Sequence, residues 1–420
     1  MKKLKFFVVA FHLMIAATAQ VGIGTSTPHS SAQLEINSTS RGLLLPRMSA
    51  LQRAAIASPV EGLVVYQTNG TKGIYYFDGT TWRNAYTGFI PDAQGNAKLL
   101  NVIVSTLAGG SVGFADGTGT NARFFSLRGV TVDSSGNVYV ADTYNHRIRK
   151  IDTAGYVTTV AGAGLNGGFA DGPGNVAMFL YPTDVAIDRL GNIYVCDQAN
   201  HKIRKIDTAR NVTTMAGSTQ GFANGNGAAA QFDAPGSLTV DQNLNVFVGD
   251  NRNYKVRKID PTGNVTTYAG STPGYTDGIW SSAQFNYPAG IAVDKEGNVY
   301  VADFFNYKIR KIDILRNVTT FAGTTAGTAD GNATTAQFSS PVAVDVDRDG
   351  NVYVADQNTH RIRKISPAGT VITLAGTNQG FTDGNASNAQ FSTPQGITVD
   401  INGFVYVGDN ENHKIRKIFY

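Results

Sequence analysis

The sequence is poor in cysteine, tryptophan and charged residues for a chain of 420 residues. Its one cysteine, Cys196, excludes an internal disulfide, and we expect it to be a small buried residue at a strand end. Charged residues make up 16%, below the roughly 25% of an average soluble protein. The net charge of +4 is mild and argues against a nucleic-acid partner. Glycine is abundant at 47 residues, which indicates a turn-rich β protein.

Long apolar runs are also scarce, and the clearest one lies at the start of the chain. Three lysines among residues 1–5 precede an apolar run from Phe6 to Ala17, which ends in Ala17-Thr18-Ala19. This order is typical of a signal peptide, with cleavage expected after Ala19. The run is shorter than the about 20 residues that a membrane span needs. We therefore expect no transmembrane segment and an exported protein that is extracellular or associated with the cell surface, with the periplasm as an alternative.

A single pattern recurs six times along the chain. It reads [VI]-[YF]-V-x-D-x-x-x-[HY]-[RK]-[IV]-R-K-I, and its aspartates are spaced by 55 and then by 53 residues. Such a fixed period indicates a stacked or radial array of equivalent units. The aspartates are Asp142, Asp197, Asp250, Asp303, Asp356 and Asp409.

Each unit contains four short strand-like segments separated by turn signals. In the second unit they are 184–188, 193–196, 202–206 and 212–217. The last unit has no fourth segment, but a matching segment, 104–109, precedes the first unit. We therefore predict an all-β fold: a six-bladed β-propeller of four-stranded antiparallel blades, closed by an N-terminal strand that completes the last blade.

The run from Asn137 to Lys150 resembles the signature of the NHL repeat. The Gly-Phe-Ala-Asp-Gly loops, each followed by Ala-x-Phe, resemble the variant found in teneurin-type and bacterial exported NHL proteins. The resemblance covers roughly residues 102–420. It implies a six-bladed NHL propeller but no particular activity, because one fold hosts many functions.

The segment before the repeats has a different character. Short apolar and aromatic stretches such as Gly62–Tyr66 and Tyr75–Trp82 resemble a segment common near the mature start of bacterial surface proteins. We predict three parts: a signal peptide over 1–19, a small β-rich module with its linker over 20–95, and the propeller over 102–420. One helical turn is expected around Leu51 to Ala57.

The turns of a four-stranded blade are expected to divide between two faces of the propeller. The second-to-third loops and the long fourth-to-first connections should share one face, which we call the loop face. Long loops on a rigid scaffold commonly carry function. Phe304, Phe305 and Tyr144 in second-to-third loops, and Trp280 in a long connection, are aromatic where other repeats are polar. Exposed aromatic rings mark contact surfaces, so we predict binding there, the alternative being that they pack under their own loops.

Two aspartates on the inner strands break the internal repeat. Asp184 stands where other repeats have Gly129, Gly290 or Gly396, and Asp345 stands where they have threonine or alanine. Carboxylates next to the channel axis are candidates for contact with a polar ligand or ion at the channel mouth.

Residues that occur in every blade are better explained by the blade itself. Histidines of neighbouring blades should lie on the order of 15 Å apart, too far to share a zinc ion. We therefore predict no metal and no cofactor, and a packing role for these residues. Each Asp-Gly loop offers one carboxylate, which favours a turn over a calcium site. Eighteen lysines and arginines on the third strands should form an outer belt. The histidines are His146, His201, His360 and His413, in a slot that Tyr254 and Tyr307 share.

These features favour a binding scaffold for a protein, peptide or glycan over an enzyme. No Ser-His-Asp or metal cluster follows from the spacing, so we predict no catalytic residues. The alternative is a lyase or hydrolase with a site at the channel mouth, since amidating lyases, streptogramin lyases and lactonases resemble this fold. The sequence does not predict the oligomeric state.

Overall fold

The computed structural model describes residues 21–23, 34–36, 43–69, 73–77, 79–80, 82–84, 89–91, 97–99, 102–164 and 166–419. The predicted signal peptide, 1–19, lies outside the described residues. The chain divides into two compact units, 1–87 and 88–420. The second unit carries the six repeats as separate antiparallel sheets, or blades, within its described residues.

The four main strands of each blade follow one another along the chain in the first five blades. From the inner to the outer strand, their bounds are Leu127–Val132, Val138–Asp142, Arg147–Ile151 and Tyr156–Ala161 in blade 1; Pro182–Ile187, Ile193–Asp197, Lys202–Ile206 and Asn211–Ala216 in blade 2; Pro235–Val240, Val246–Asp250, Lys255–Ile259 and Asn264–Ala269 in blade 3; Pro288–Val293, Val299–Asp303, Lys308–Ile312 and Asn317–Ala322 in blade 4; and Pro341–Val346, Val352–Asp356, Arg361–Ile365 and Val371–Ala375 in blade 5.

Blade 6 is assembled from both ends of the repeat region. Its first three strands are Pro394–Val399, Val405–Asp409 and Lys414–Phe419, and its fourth is Ile103–Ala108. Val104 pairs with Ile418, and Ala108 pairs with Ile415, in an antiparallel register. The segment before the first repeat therefore hydrogen-bonds to the last one, as its sequence predicts.

Five blades also carry a fifth strand that the four-stranded prediction does not include. The long fourth-to-first connection runs back along the outer edge of the blade that it enters and pairs there with the fourth strand. In blade 5 the same contact is reduced to a single bridge between Gly331 and Val371. This short strand covers a row of backbone groups that would otherwise form an exposed sheet edge. The five strands are Gly117–Thr118, Gly172–Pro173, Gly225–Asn226, Gly278–Ile279 and Gly384–Asn385.

The hydrophobic core lies between neighbouring blades. Six buried clusters each combine side chains of two adjacent blades, and one of them joins Leu127 of blade 1 to Tyr406 and Ile415 of blade 6. The alanine and the phenylalanine of each Ala-x-Phe motif are fully buried in these clusters. Burying one such ring contributes about 1.5–3 kcal/mol, so the loop motif fixes each connection to the blade faces.

One arginine of each third strand is fully buried, contrary to the expected outer belt. Arg204 bonds to Asp197 of its own blade (2.6 Å) and to Asp171 of the Asp-Gly loop (2.5 Å). It also donates to the carbonyl groups of Ala170 and Met178. The Asp-Gly loop therefore supplies an ion-pair partner to the blade. The equivalent buried arginines are Arg149, Arg257, Arg310, Arg363 and Arg416.

The repeat histidines join adjacent blades. The backbone N–H of Tyr181 in blade 2 donates to Nδ1 of His146 in blade 1 (3.1 Å). The same contact joins Ala234 to His201 and Thr393 to His360. Burial lowers the pKa of His146, His201 and His360, which favours the neutral ring that can accept such a bond. These contacts agree with the predicted packing role.

The described part of the first unit is a small β-rich module. A parallel pair joins Val21–Ile23 to Leu34–Ile36. A four-stranded sheet contains Arg47–Met48, Val64–Gln67, Gly73–Phe77 and Trp82–Asn84. A short helix, Ala50–Ala54, begins at Ser49, whose side chain accepts a hydrogen bond from the N–H of Gln52. This helix confirms the helical turn that was predicted around Leu51 to Ala57, although the observed helix ends earlier, at Ala54. In the second unit, Phe89–Pro91 and Ala97–Leu99 form an antiparallel pair before blade 1.

Candidate functional site

A cavity of about 440 Å³ opens at the centre of the propeller. The inner strands of all six blades contribute to its wall, because each contacts the next and the inner strand of blade 6 contacts that of blade 1. Side chains from the second-to-third loops frame its mouth, so the cavity opens on the loop face. Its volume lies within the about 300–1,000 Å³ of typical small-molecule sites.

The predicted residues Phe304 and Phe305 lie at this mouth. Their rings are 4.8 Å apart, and each packs edge-on against Tyr287, at 5.9 and 5.7 Å. We call these three residues the blade 4 aromatic cluster. Phe305 is 52% exposed, so it does not pack under its own loop. Mutual packing holds the rings in place, and the cluster offers a fixed apolar surface beside the cavity.

Tyr144 belongs to a second aromatic group on the loop face. Its ring lies 5.0 Å from Phe125 and 5.5 Å from Tyr181. We call these three residues the blade 1–2 aromatic cluster. Tyr144 is 44% exposed but does not line the cavity wall. The blade 1–2 aromatic cluster therefore lies outside the cavity, whereas the blade 4 aromatic cluster lines it.

The structure separates Trp280 from both clusters. It directly follows the fifth strand of blade 4, Gly278–Ile279, which pairs with the beginning of the fourth strand. Its ring lies 4.6 Å from the guanidinium group of Arg316, in the turn between the third and fourth strands. Trp280 is therefore at the outer edge of blade 4, near the face opposite the loop face. The long connections follow the blade edges, and the expectation that they build out the loop face is wrong for this residue.

Asp184 and Asp345 both line the cavity, on blades 2 and 5. These blades face each other across the axis of the six-blade array. Asp184 accepts hydrogen bonds from the backbone N–H of Val185 (2.9 Å) and of Leu238 in the next blade (2.8 Å). Asp345 accepts from Val346 and from Val399 in the next blade, both at 2.8 Å. The N–H groups at the inner edge of a blade have no further strand to pair with. Each of the two carboxylates accepts hydrogen bonds from two such N–H groups.

Burial raises the pKa of both inner carboxyl groups. The pKa of Asp184 rises to about 7 and that of Asp345 to about 6, although their backbone hydrogen bonds act in the opposite direction. The charge of Asp345 adds slightly to the rise at Asp184. The cavity wall is therefore less negative near neutral pH than two ordinary aspartates would make it.

The structure adds site residues that the sequence analysis missed. Arg128 lines the cavity on blade 1, and Gln198, Gln357 and Gln395 place amide groups around it. A signal for Arg128 was available, since it is the charged residue in a slot that is uncharged in the other repeats. That slot holds Thr183, Gly236, Ala289, Val342 and Gln395.

Within the described residues, no three histidine, cysteine, aspartate or glutamate side chains form a group that could hold a metal ion. Cys196 is fully buried, and burial raises the pKa of its thiol. In the same part of the chain, no helix is long and apolar enough to span a bilayer.

Comparison with protein families finds one match in the repeat region and another ahead of it. The NHL repeat model matches residues 126–151, 179–206, 285–312, 338–365 and 391–418, which contain the inner three strands of five blades. The chain is an NHL-repeat β-propeller. Residues 22–99, ahead of the NHL propeller, match a phage tail like trimerisation region.

Curated relatives match the NHL propeller over part of their length. The chain is 30% identical over 284 residues to Protein SUPPRESSOR OF QUENCHING 1, chloroplastic, of Arabidopsis thaliana, which covers 63% of this chain and 27% of the relative. It is 29% identical over 299 residues to human NHL repeat-containing protein 2, which covers 61% of this chain and 41% of the relative. The chain thus spans less than half the length of these relatives.

Solved structures share the fold of the NHL propeller at low identity. A Bacteroides thetaiotaomicron protein of unknown function is 20% identical with a TM-score of 0.61, over 84% of this chain and 82% of that one. An auxiliary nutrient binding protein of the same organism is 17% identical with a TM-score of 0.58, over 86% and 95%. A gluconolactonase of Xanthomonas campestris is 12% identical with a TM-score of 0.50, over 75% and 88%.

Proposed function

We propose that this NHL propeller is an exported binding module that captures a protein, peptide or glycan on its loop face. The observation that carries the proposal is the axial cavity with the blade 4 aromatic cluster at its mouth, where the ring of Phe305 is exposed. A rigid aromatic surface beside a concave site loses little conformational entropy when a ligand covers it. The apolar run and the Ala17-Thr18-Ala19 end of residues 1–19 support export.

The hydrogen bonds of the repeat histidines and of the two cavity aspartates favour a binding role over the lyase or hydrolase alternative. His146, His201 and His360 each accept a backbone N–H of the neighbouring blade through Nδ1. Both oxygens of Asp184 and of Asp345 accept backbone N–H groups. A general acid or base must exchange protons with a substrate, and these groups are already committed to the scaffold.

Replacing Phe304 and Phe305 by alanine is expected to abolish ligand capture, because it removes most of the apolar surface at the mouth. The melting temperature should change little, since Phe305 is exposed and Phe304 only half-buried. A screen of the wild-type protein against surface glycans and peptides, followed by calorimetric titration of each hit, measures the effect. Trp280→Ala is the matched control and should leave affinity unchanged. Wild-type affinity in the double variant would contradict the proposal.

We also propose that the N-terminal unit joins three copies of the chain. Its match to a trimerisation region is accompanied by unusual exposure of large apolar side chains. Leu51 is 82% exposed, whereas the apolar side chains buried in the described part of this unit are only Val65 and Tyr75. A trimer would bury these groups and present three propellers to one surface, which raises avidity without new contacts. The exposed groups are Leu43, Leu44, Leu51 and Val60.

Leu44→Ser combined with Leu51→Ser is expected to convert a trimer into a monomer, because both side chains would lose their apolar contacts with the other copies. Light scattering coupled to size exclusion gives the mass directly. Ala54→Ser, an exposed position on the same helix, serves as the control and should remain trimeric. A monomeric wild-type protein would disprove this assembly.

A further inference from the structure

Arg128 differs from the buried arginine of each blade, because its side chain has no partner among the described residues. The buried arginine of each blade binds carboxylate and carbonyl oxygens, as Arg204 does. Among the residues that the structure describes, the side chain of Arg128 makes no hydrogen bond or ion pair, and its Nε is shielded from solvent. Arg128 nevertheless lines the axial cavity. A guanidinium group that lies at a cavity wall and has no anionic partner in the protein can bind an anionic group of a ligand.

Arg128 and the blade 4 aromatic cluster stand on opposite sides of the mouth. Arg128 belongs to blade 1, and blade 4 lies three blades away in an array of six. Gln198, Gln357 and Gln395 line the cavity between them, on blades 2, 5 and 6. The cavity thus presents a cation on one side, aromatic rings on the other, and neutral donors and acceptors in the gap.

The acidic groups of the wall do not occupy the Arg128 guanidinium. Asp184 lies next to Gly129, where an added Cβ would meet its carboxylate, but no ion pair within 4.0 Å joins it to Arg128 in the described residues. The oxygens of Asp184 and Asp345 accept backbone N–H groups instead. Burial also raises the pKa of both carboxyl groups, which weakens their repulsion of an incoming anion.

We propose that the axial cavity binds an acidic saccharide, a sugar of the uronic acid class, with its carboxylate on Arg128. The apolar face of the sugar ring lies against the blade 4 aromatic cluster, and its hydroxyl groups bond to the glutamine amides. This inference rests on the proposed binding function of the loop face and names its ligand class. A ligand of this kind uses the three chemical features of the mouth together, whereas a neutral sugar leaves the guanidinium unpaired.

The test uses the full-length protein with oligosaccharides of galacturonic, glucuronic and mannuronic acid, and with their methyl esters, in calorimetric titration. At least one acid is expected to bind, and its ester at least about tenfold more weakly, because the ester keeps the ring but removes the charge. Arg128→Gln, which introduces the residue that blade 6 carries in this slot, should weaken binding of the acid by a similar factor and leave the ester unchanged. Arg252→Gln, an exposed arginine outside the cavity wall, is the control and should affect neither.

Equal affinity for acid and ester, wild-type affinity in Arg128→Gln, or binding of none of these acids would overturn the assignment. A neutral glycan or a peptide that binds the wild-type protein but not the Phe304→Ala, Phe305→Ala variant would also overturn it, while leaving the loop-face binding function intact. The melting temperature of Arg128→Gln should equal that of the wild type, which separates loss of a ligand contact from loss of fold.

Discussion

Replacement of residues 104–109 by six glycines and serines is expected to destabilise the propeller by more than about 5 kcal/mol, a loss comparable to the whole stability of many domains. The substitution removes the fourth strand of blade 6, whose Val104 is buried between blades 5 and 6 and whose Ala108 is buried between blades 6 and 1. It also exposes the third strand, Lys414–Phe419, as an unpaired edge.

Calorimetry should show a melting temperature lowered by at least about 10 °C, or no cooperative transition. Hydrogen exchange should in addition show loss of protection in blade 6 before the other blades. Ser105→Ala, in the same strand, removes one partly exposed hydroxyl and should cost less than about 1 kcal/mol. A replacement protein that melts like the parent would mean that the pairing of this strand does not hold the propeller together.

Arg204→Met is expected to destabilise the protein by about 3–5 kcal/mol, because it leaves a buried charge without its partner. Asp197 is fully buried and would keep only its neutral hydrogen bonds from Leu180 and Asn200. The carbonyl groups of Ala170 and Met178 would each lose one of their two donors as well. Urea denaturation of the two proteins measures the difference in the free energy of unfolding.

A second arginine provides the control for this measurement. Arg252 is 63% exposed and lies 4.0 Å from Asp233, so Arg252→Met should change stability by no more than about 0.5 kcal/mol. The double variant Arg204→Met, Asp197→Asn should lose less than the sum of the two single changes, since the uncompensated charge is removed with its partner. A cost below about 1 kcal/mol for Arg204→Met would show that the pair is not buried in solution.

The blade strands could be predicted from the sequence because the pattern repeats in register. The third strand of blade 2, Lys202–Ile206, was predicted with its observed bounds, and the others differ by one or two residues. The burial of Arg204 could not be predicted in this way. Both faces of a blade pack against neighbours, and the carboxylate of Asp171 that makes this burial tolerable comes from a loop 33 residues earlier in the chain.

The candidate site could be predicted only in part, for a similar reason. Comparison of the repeats identified Phe304, Phe305, Asp184 and Asp345, all of which line the cavity. The same comparison also selected Trp280, because local sequence does not show that the long connection follows the blade edge. Arg128 was not predicted, because the sequence does not show which arginines find an ion-pair partner in the folded propeller.

The strand pairing in blade 6 has a consequence for synthesis. Lys414 donates to the carbonyl of Gly110, a contact between residues 304 positions apart. At a ribosomal rate of about 5–20 residues per second, the strand Ile103–Ala108 emerges about 15–60 s before its permanent neighbour exists. Throughout that interval its unsatisfied peptide groups offer a template to any other nascent chain. Folding of the propeller therefore depends on keeping one early strand unoccupied until the third strand of blade 6 has been synthesised.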